Sequence, residues 1–328
     1  MTKQRRRTRH RTEFHGVYPM LLALFDDDRL SRKAMRRQVD AMVAAGAHGV
    51  AVLGLATECN KLSTAEKRQL LDWVAEDLDG RLPLSVTVSE TSPRGQAEFV
   101  AAAASVGAGW VVLQPPPVKQ VEEAALMRFF GAVAELSKIP VGLQIAPGYL
   151  DAGLSADSLR RLSRQHPNIA ILKVEMAAMD IAALRDATDG AFDIFNGHAG
   201  LELPDCLRAG CVGIIPGVEC ADVLAAAYDQ AMAAADGASD AADRLYAEVA
   251  PFIVATMTSI DRFLIYAKRL AVRRLDLSSE FARLRDPTGR TTAFGRDLVD
   301  RHTAALGPLG VPAHRAGRKQ DRNRGGNR

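Results

Sequence analysis

Ile169-Ala170-Ile171-Leu172-Lys173-Val174-Glu175 is the segment from which the fold can be argued. Its four leading apolar residues predict a strand that is buried on both faces, as in a parallel sheet. The lysine stands at the carboxyl end of this strand, half removed from water. Burial disfavours the ammonium form of a lysine, so the neutral amine can attack a ketone and form a Schiff base. A simpler interpretation, in which the side chain only reaches from the strand end into solvent, stays open.

Strand-like runs and helical patterns alternate on both sides of this segment. The predicted strands are residues 17–25, 49–53, 84–88, 110–113, 141–145, 169–173, 192–195 and 212–215. The predicted helices are residues 31–45, 63–78, 93–106, 121–137, 155–165, 179–187, 201–209 and 221–233. Ser63 and Glu66 form a capping box at the start of one helix, and Gly46, Gly107 and Gly210 follow helix ends, where a left-handed residue is favoured. These local signals support the predicted boundaries.

Eight strand–helix units in about 220 residues predict an α/β fold, a (β/α)₈ TIM barrel over residues 14–233. An open doubly wound sheet is disfavoured because no G-x-G-x-x-G motif follows the first strand. Active sites of such barrels lie at the carboxyl ends of the strands, where Lys173 is expected. Residues 234–308 are predicted to form a C-terminal helical region that packs beside the barrel or at a subunit contact. Its apolar positions include Phe252, Ile253, Phe263, Leu264, Leu270 and Leu275.

Composition places the chain among globular proteins. Of its 328 residues, 48% are hydrophobic and 25% are charged, so the core is large enough to fold without disulfides. The four cysteines contain no C-x-x-C pair, which indicates reduced thiols in a cytoplasmic protein. Apolar runs fall short of 18 residues, so no membrane-spanning helix is expected and no membrane partner is predicted.

Both ends of the chain are basic. Six Lys or Arg residues occur in each of the segments 1–11 and 309–328, whereas the remainder is acidic overall. Because the ends lack apolar periodicity, residues 1–13 and 309–328 are predicted to be disordered tails. We expect solubility tails rather than nucleic-acid contacts, although an acidic partner surface stays possible in principle.

The order of short motifs along these units resembles the dihydrodipicolinate synthase and N-acetylneuraminate lyase family over roughly residues 14–300. The motifs are Gly54-Leu55-Ala56-Thr57-Glu58 after strand two, Lys61-Leu62-Ser63 with Glu66, the prolines after strand four, Pro147-Gly148, His166-Pro167-Asn168-Ile169 and the strand-six lysine. The resemblance implies a lyase of the class I aldolase type, often a homotetramer. Its lysine, here Lys173, would form an imine with pyruvate or another 2-oxo acid. Since an imine is itself an electron sink, no cofactor and no metal are expected.

The chain departs from the family pattern at positions that matter for chemistry. The family's G-T-T-G-E threonines are replaced by Leu55 and Ala56, with a hydroxyl displaced to Thr57. We expect the turn comprising Gly54, Ala56 and Thr57 to bind the substrate carboxylate, since backbone amides need no particular side chain. The resemblance also implies substrate contacts from Gln144 and from the backbone near Ile215.

The family's proton-shuttling tyrosine aligns with Gln144. The tyrosine that a neighbouring subunit contributes falls within Pro115-Pro116-Pro117. Glutamine cannot exchange a proton near neutral pH, so dihydrodipicolinate synthesis itself is not expected. The rigid, apolar prolines at the entrance also disfavour polyhydroxylated sugar acids as substrates.

Another group must then move protons. Glu175 lies two residues beyond Lys173, so both side chains project from the same face of the strand, and we predict Glu175 as the catalytic acid/base. His198, Glu90, Glu58 and Tyr149 are further candidates near strand ends. The sequence leaves a second function open: a catalytically retired barrel that binds a small acid or scaffolds an assembly.

Overall fold

The computed structural model describes residues 12–118, 121–150, 152–234, 239–285 and 290–310. Within them, eight parallel strands form a barrel. The strands are β1 (Gly16–Val17), β2 (Val50–Val52), β3 (Leu84–Val88), β4 (Trp110–Leu113), β5 (Val141–Ile145), β6 (Ile169–Val174), β7 (Asp193–Asn196) and β8 (Gly213–Ile214). They pair in the order β1-β8-β7-β6-β5-β4-β3-β2. Met20, just after β1, pairs in parallel with Ala51 on β2 and closes the ring. The predicted TIM barrel is therefore confirmed.

Helices follow the strands and surround the barrel. They are α1 (Arg32–Ala44), α2 (Thr64–Leu78), α3 (Pro93–Ser105), α4 (Glu123–Ala134), α5 (Ala156–Gln165), α6 (Ala178–Ala187), α7 (Leu203–Ala209) and α8 (Ala221–Ala233). The C-terminal helices are α9 (Asp240–Thr256), α10 (Ile260–Arg274) and α11 (Ala293–Leu306). The Ser63–Glu66 capping box is present, with both reciprocal hydrogen bonds.

The predicted first strand, residues 17–25, is too long. Regular pairing covers only Gly16–Val17, and Phe25–Asp26 instead pairs antiparallel with Arg29–Leu30. Asp27 in the connecting turn has a φ of 55°, in the left-handed region that aspartate tolerates better than most residues. The aspartate run Asp26-Asp27-Asp28 thus ends the extended segment with a hairpin that the apolar pattern alone did not reveal.

Aromatic side chains fill the lower interior of the barrel. Trp110 on β4 and Phe195 on β7 have ring centroids 5.0 Å apart, and the Tyr18 ring meets Phe195 edge-on at 5.5 Å. All three side chains are fully buried. The interior is therefore packed below its midpoint, as in other barrels, and open space remains only toward the carboxyl ends of the strands.

The predicted tails extend too far inward at both ends. Thr12 donates from its amide and its hydroxyl to Asp193 Oδ2, at 2.6 and 2.8 Å. Leu309 is buried, and its amide donates to the Arg274 carbonyl at 2.8 Å. The rest of the predicted tails, residues 1–11 and 311–328, lies outside the described residues. No helix that the structure describes is long and apolar enough to cross a bilayer.

Candidate active site

A cavity of about 210 Å³ opens at the carboxyl ends of the strands. Most of the predicted site residues line it, and they come from five strands or from the loops that follow them. Those lining residues are Gly54, Ala56, Gln144, Lys173, Glu175, His198, Tyr149 and Ile215. The barrel thus brings together side chains that are up to 161 positions apart in the sequence.

Lys173 lies at the floor of this cavity. Its Cα is the direct register partner of Gln144 on the neighbouring strand, so the two side chains point into the same space. Lys173 Nζ donates to Gln144 Oε1 at 3.0 Å and also to Glu175 Oε1. Only 10% of the lysine side chain is exposed to solvent. The amine is therefore held by two acceptors in a nearly dry pocket.

Glu175 is enclosed between Lys173 and the loop after β7. Its second oxygen, Oε2, accepts the His198 amide at 2.5 Å. Burial alone would raise the pKa of the Glu175 carboxyl, but the charge of Lys173 and the hydrogen bonds from Lys173 and His198 bring this pKa below its usual value. Gly197 is required beside it, because a Cβ there would lie 2.2 Å from Glu175 Oε1. Glu175 is thus a fixed carboxylate in contact with the amine.

His198 and Tyr149 form a second polar pair at the cavity mouth. Tyr149 Oη lies 3.3 Å from His198 Nε2, and the two rings meet edge-on. His198 and Ala199 have φ angles of 46° and 54°, a left-handed conformation that is costly for residues with a Cβ. Burial and the nearby Glu175 charge raise the pKa of the Tyr149 phenol. The phenol therefore stays protonated near neutral pH.

The loop after β2 is the turn in which the sequence predicts a carboxylate cradle. Leu55–Thr57 form a short 3-10 turn, and the amides of Leu55 and Ala56 precede its first hydrogen bond, so no carbonyl of the turn accepts them. Thr57 differs from the expectation: it does not line the cavity, and its buried hydroxyl donates to the Leu21 carbonyl at 2.6 Å. The displaced hydroxyl holds the loop against the chain after β1 and is not directed at a ligand.

Two of the other candidate carboxylates lie outside the cavity. Glu58 is fully buried and accepts Lys268 Nζ at 2.6 Å and Lys61 Nζ at 3.1 Å. Glu90 pairs with Lys67 at 3.3 Å. Both anchor loops instead of facing a substrate. All four cysteines are buried and unbridged, and burial raises the pKa of the Cys59 thiol.

The C-terminal helices contribute residues that the sequence did not assign to the site. Met257 after α9, together with Ile260 and Phe263 at the start of α10, lines the cavity. Their apolar character was visible in the sequence, but it predicted packing beside the barrel. Only the docking of α10 over the barrel mouth shows their position. Within the part of the chain that the structure describes, no group of three His, Cys, Asp or Glu side chains is arranged to hold a metal ion.

Comparison with known proteins gives consistent results. A family model described as the dihydrodipicolinate synthetase family matches residues 13–301. The 4-hydroxy-tetrahydrodipicolinate synthase of Methanopyrus kandleri is 27% identical over 206 residues, 62% of this chain and 68% of that protein. The L-2-keto-3-deoxyarabonate dehydratase of Azospirillum brasilense is 31% identical over 219 residues, 64% of this chain and 68% of that protein.

A solved structure shares the fold. The chloride-inhibited dihydrodipicolinate synthase of Acinetobacter baumannii, complexed with pyruvate, superposes with a TM-score of 0.78. The alignment covers 89% of this chain and 98% of that chain at 19% sequence identity. At this identity the likeness concerns the barrel and its C-terminal helices.

Proposed function

The chain belongs to the dihydrodipicolinate synthetase family, and on that premise we propose that it is a Schiff-base-forming lyase, an aldolase or dehydratase, acting on pyruvate or another 2-oxo acid. The observation that carries the proposal is the buried contact of Lys173 Nζ with Glu175 and Gln144 at the floor of the cavity. An amine in this setting has a base beside it and little competing water.

Glu175 activates the nucleophile. It takes one proton from the Lys173 ammonium, and the neutral Nζ adds to the C2 carbon of the 2-oxo acid. The oxygen on C2 takes up one proton from the attacking nitrogen and a second from Glu175 and leaves as water, and the protonated imine between Nζ and C2 remains. Glu175 is suited to both transfers because it already touches Nζ and is held in place by the His198 amide.

The turn after β2 binds the C1 carboxylate of the 2-oxo acid. The Leu55 and Ala56 amides are donors for the C1 carboxylate. Gly54 lets this turn pack against Met20, because a Cβ there would lie 2.4 Å from Met20 Cε. Gln144, released from Lys173 when the imine forms, can donate its amide to the substrate. Thr57 supports this cradle from behind.

The imine then serves as an electron sink. Loss of a proton from C3 gives an enamine, which either expels the C4 hydroxyl as water after its protonation or adds to an aldehyde and forms the C3–C4 bond. In the cleavage direction the C4 hydroxyl of the imine loses its proton, the C3–C4 bond breaks, and its electrons form the same enamine. Glu175 is the base nearest to Nζ, and the Tyr149–His198 pair is placed to protonate the leaving oxygen. The name of the Azospirillum relative supports a dehydratase, and the aldolase reaction follows the same imine.

Dihydrodipicolinate synthesis itself is disfavoured. Gln144 stands at the strand-five position of the family's proton-shuttling tyrosine, and prolines occupy the segment from which a neighbouring subunit would supply another. An amide cannot replace a phenol in moving protons.

We also propose a homo-oligomer located in the cytoplasm, as the family resemblance implies. Light scattering on the purified protein tests the first of these statements.

Borohydride reduction in the presence of pyruvate tests the proposal. The intact protein should gain the mass of one reduced pyruvyl adduct per chain, and omission of either reagent should abolish the gain. Absence of an adduct would contradict an imine mechanism and favour a barrel that only binds a small acid. Incubation with 4-hydroxy-2-oxo acids, followed by detection of released pyruvate or of a dehydrated 2-oxo acid, separates aldolase from dehydratase.

A further inference from the structure

The titratable side chains of the cavity come from three neighbouring strands and their loops, and Gln114 after β4 also lines the cavity. Its titratable side chains, Lys173, Glu175, His198 and Tyr149, belong to β6 or to the loops that follow β5, β6 and β7. Four large apolar side chains line the cavity from the loop after β2 and from the C-terminal helices. These four residues are Leu55, Met257, Ile260 and Phe263, and we call them the apolar wall. Since β2 and β6 are four strands apart in a ring of eight, Leu55 lies across the barrel mouth from Lys173.

The apolar wall is fixed to the carboxylate cradle. Lys268 on α10 donates to Glu58 Oε1 at 2.6 Å, and both side chains are buried. Glu58 directly follows the Leu55–Thr57 turn, so the ion pair ties α10 to that turn. The Arg285 amide also donates to Glu58, at 3.1 Å. Ile260 and Phe263, on the same helix as Lys268, therefore keep their positions relative to the cradle and to Lys173.

This arrangement determines which part of a substrate meets the apolar wall. The cradle takes the C1 carboxylate and Lys173 takes C2, so the carbon chain beyond C4 extends over the remaining lining. A hydroxyl facing Leu55, Met257, Ile260 or Phe263 loses water and gains no side-chain partner, whereas an apolar group gains contact. Among the described lining residues, the basic side chains are Lys173 and His198, and none is an arginine. A second carboxylate on the substrate would therefore find no guanidinium partner in this lining.

From these contacts, we propose that the substrate is a 4-hydroxy-2-oxo acid whose chain beyond C4 is apolar, either aliphatic or aromatic, and not hydroxylated or carboxylated. The proposal rests on the proposed function, because it uses Lys173 to place C2. In the cleavage direction the C4 hydroxyl gives up its proton, the C3–C4 bond breaks, and its electrons enter the enamine. An apolar aldehyde and pyruvate result. If the C4 hydroxyl leaves instead, water and an apolar unsaturated 2-oxo acid result.

A matched pair of substrates tests the inference. 4-Hydroxy-2-oxohexanoate and 4,5,6-trihydroxy-2-oxohexanoate have the same chain length and differ only in two hydroxyls beyond C4. The wild-type protein should use the first with a kcat/KM at least about tenfold higher, as one or two unpaired hydroxyls imply. Ile260→Thr, which replaces the ethyl branch of one side chain in the apolar wall with a hydroxyl, should narrow that ratio. Val254→Thr on the exposed face of α9 should leave the ratio unchanged.

Pyruvate trapping distinguishes a failure of the proposed imine mechanism from a failure of the inference about the substrate. Absence of a borohydride adduct in the wild-type protein would contradict the proposed function itself. A normal adduct combined with equal or better use of the trihydroxy compound, or with turnover of neither compound, would overturn the inference while leaving the imine intact. Val254→Thr, which changes an exposed residue outside the cavity, should trap pyruvate like the wild type.

Discussion

At the scale of single residues, the proposed chemistry depends on the proton shared between Lys173 and Glu175. A strand places residues i and i+2 on one face, so this pair was predictable from spacing alone. Thr57 was not predictable in the same way. Its hydroxyl is used by the Leu21 carbonyl, and that contact depends on how the chain after β1 passes the β2 loop. Spacing determines the face of an element, whereas a hydrogen-bond partner from a distant segment is a property of the tertiary structure.

Glu175→Gln tests the acid/base assignment. The amide cannot take the proton from Lys173 or from C3, so turnover should fall by at least about tenfold, within the range for loss of a general base. Pyruvate trapping under prolonged incubation should persist. Because the pKa of Glu175 lies below its usual value, the wild-type rate should fall on the acid side as the carboxylate becomes protonated, and the variant should lack this acid limb.

Normal turnover in Glu175→Gln would show that another group moves the protons. A collapsed rate in Tyr149→Phe or His198→Ala would then identify the pair at the cavity mouth as that group. The imine mechanism would stand, and the role of Glu175 would reduce to positioning.

Glu219 provides a pH-dependent element of stability. It is fully buried after β8, its Oε2 has no hydrogen-bond partner among the described residues, and burial raises its pKa to about 7. The folded chain therefore keeps a proton at pH 5 to 7 that the unfolded chain releases. The stability from this group is complete below about pH 4.5 and is lost as the pH rises through about 7.

Glu219→Gln should remove this pH dependence, since the amide fits the same space without ionising. Between pH 5 and pH 8 the unfolding free energy of the wild type, relative to the variant, should fall by on the order of 2–3 kcal/mol. Urea denaturation at the two pH values measures it. Parallel pH profiles for the two proteins would show that Glu219 is ionised already in the folded chain.

At the scale of secondary structure elements, the docking of α10 over the barrel mouth is the feature that completes the site. The sequence predicted helices in this region and even their apolar positions. It gave no sign of where they pack, because the decisive contact joins residues 58 and 268. Strands and helices of the barrel were easier to predict, since capping boxes, glycine C-caps and apolar runs are local signals.

Lys268→Met should destabilise the protein. It leaves the buried Glu58 carboxylate with Lys61 and the Arg285 amide only, and loss of a partner from a buried ion pair costs about 3–5 kcal/mol. Arg301→Met, which breaks an exposed pair with Asp297, is the matched control and should cost less than about 1 kcal/mol. Chemical denaturation compares the two. Equal effects would mean that the buried pair does not anchor α10.

At the scale of the whole molecule, eight alternating units were sufficient to predict the barrel and the end at which its cavity opens. The outer boundaries were less accurate. Thr12 and Leu309 each make contacts to the barrel region that a basic, aperiodic composition does not indicate. Leu309 lies outside any sustained apolar pattern, so no sequence pattern predicts its burial.

A chain trimmed to residues 12–310 should keep its melting temperature and its turnover, because the described contacts of both ends remain. A chain that ends at residue 306 removes buried Leu309 and the carbonyl of Gly307, which accepts Arg274 Nε at 2.8 Å. It should lose about 1–3 kcal/mol of stability for the unpaired buried groups. Loss of turnover in the 12–310 chain at unchanged melting temperature would assign a catalytic role to the removed segments.

The central claim is that Lys173 is the amine that forms the imine. Peptide mass spectrometry after pyruvate and borohydride treatment tests it most directly, with Lys173→Arg and the control Lys61→Arg treated in parallel. The reduced adduct should map to the peptide containing Lys173 in the wild type and in Lys61→Arg, and Lys173→Arg should carry none while keeping its fold by circular dichroism. An adduct on any other lysine, or an undiminished adduct in Lys173→Arg, would contradict the account.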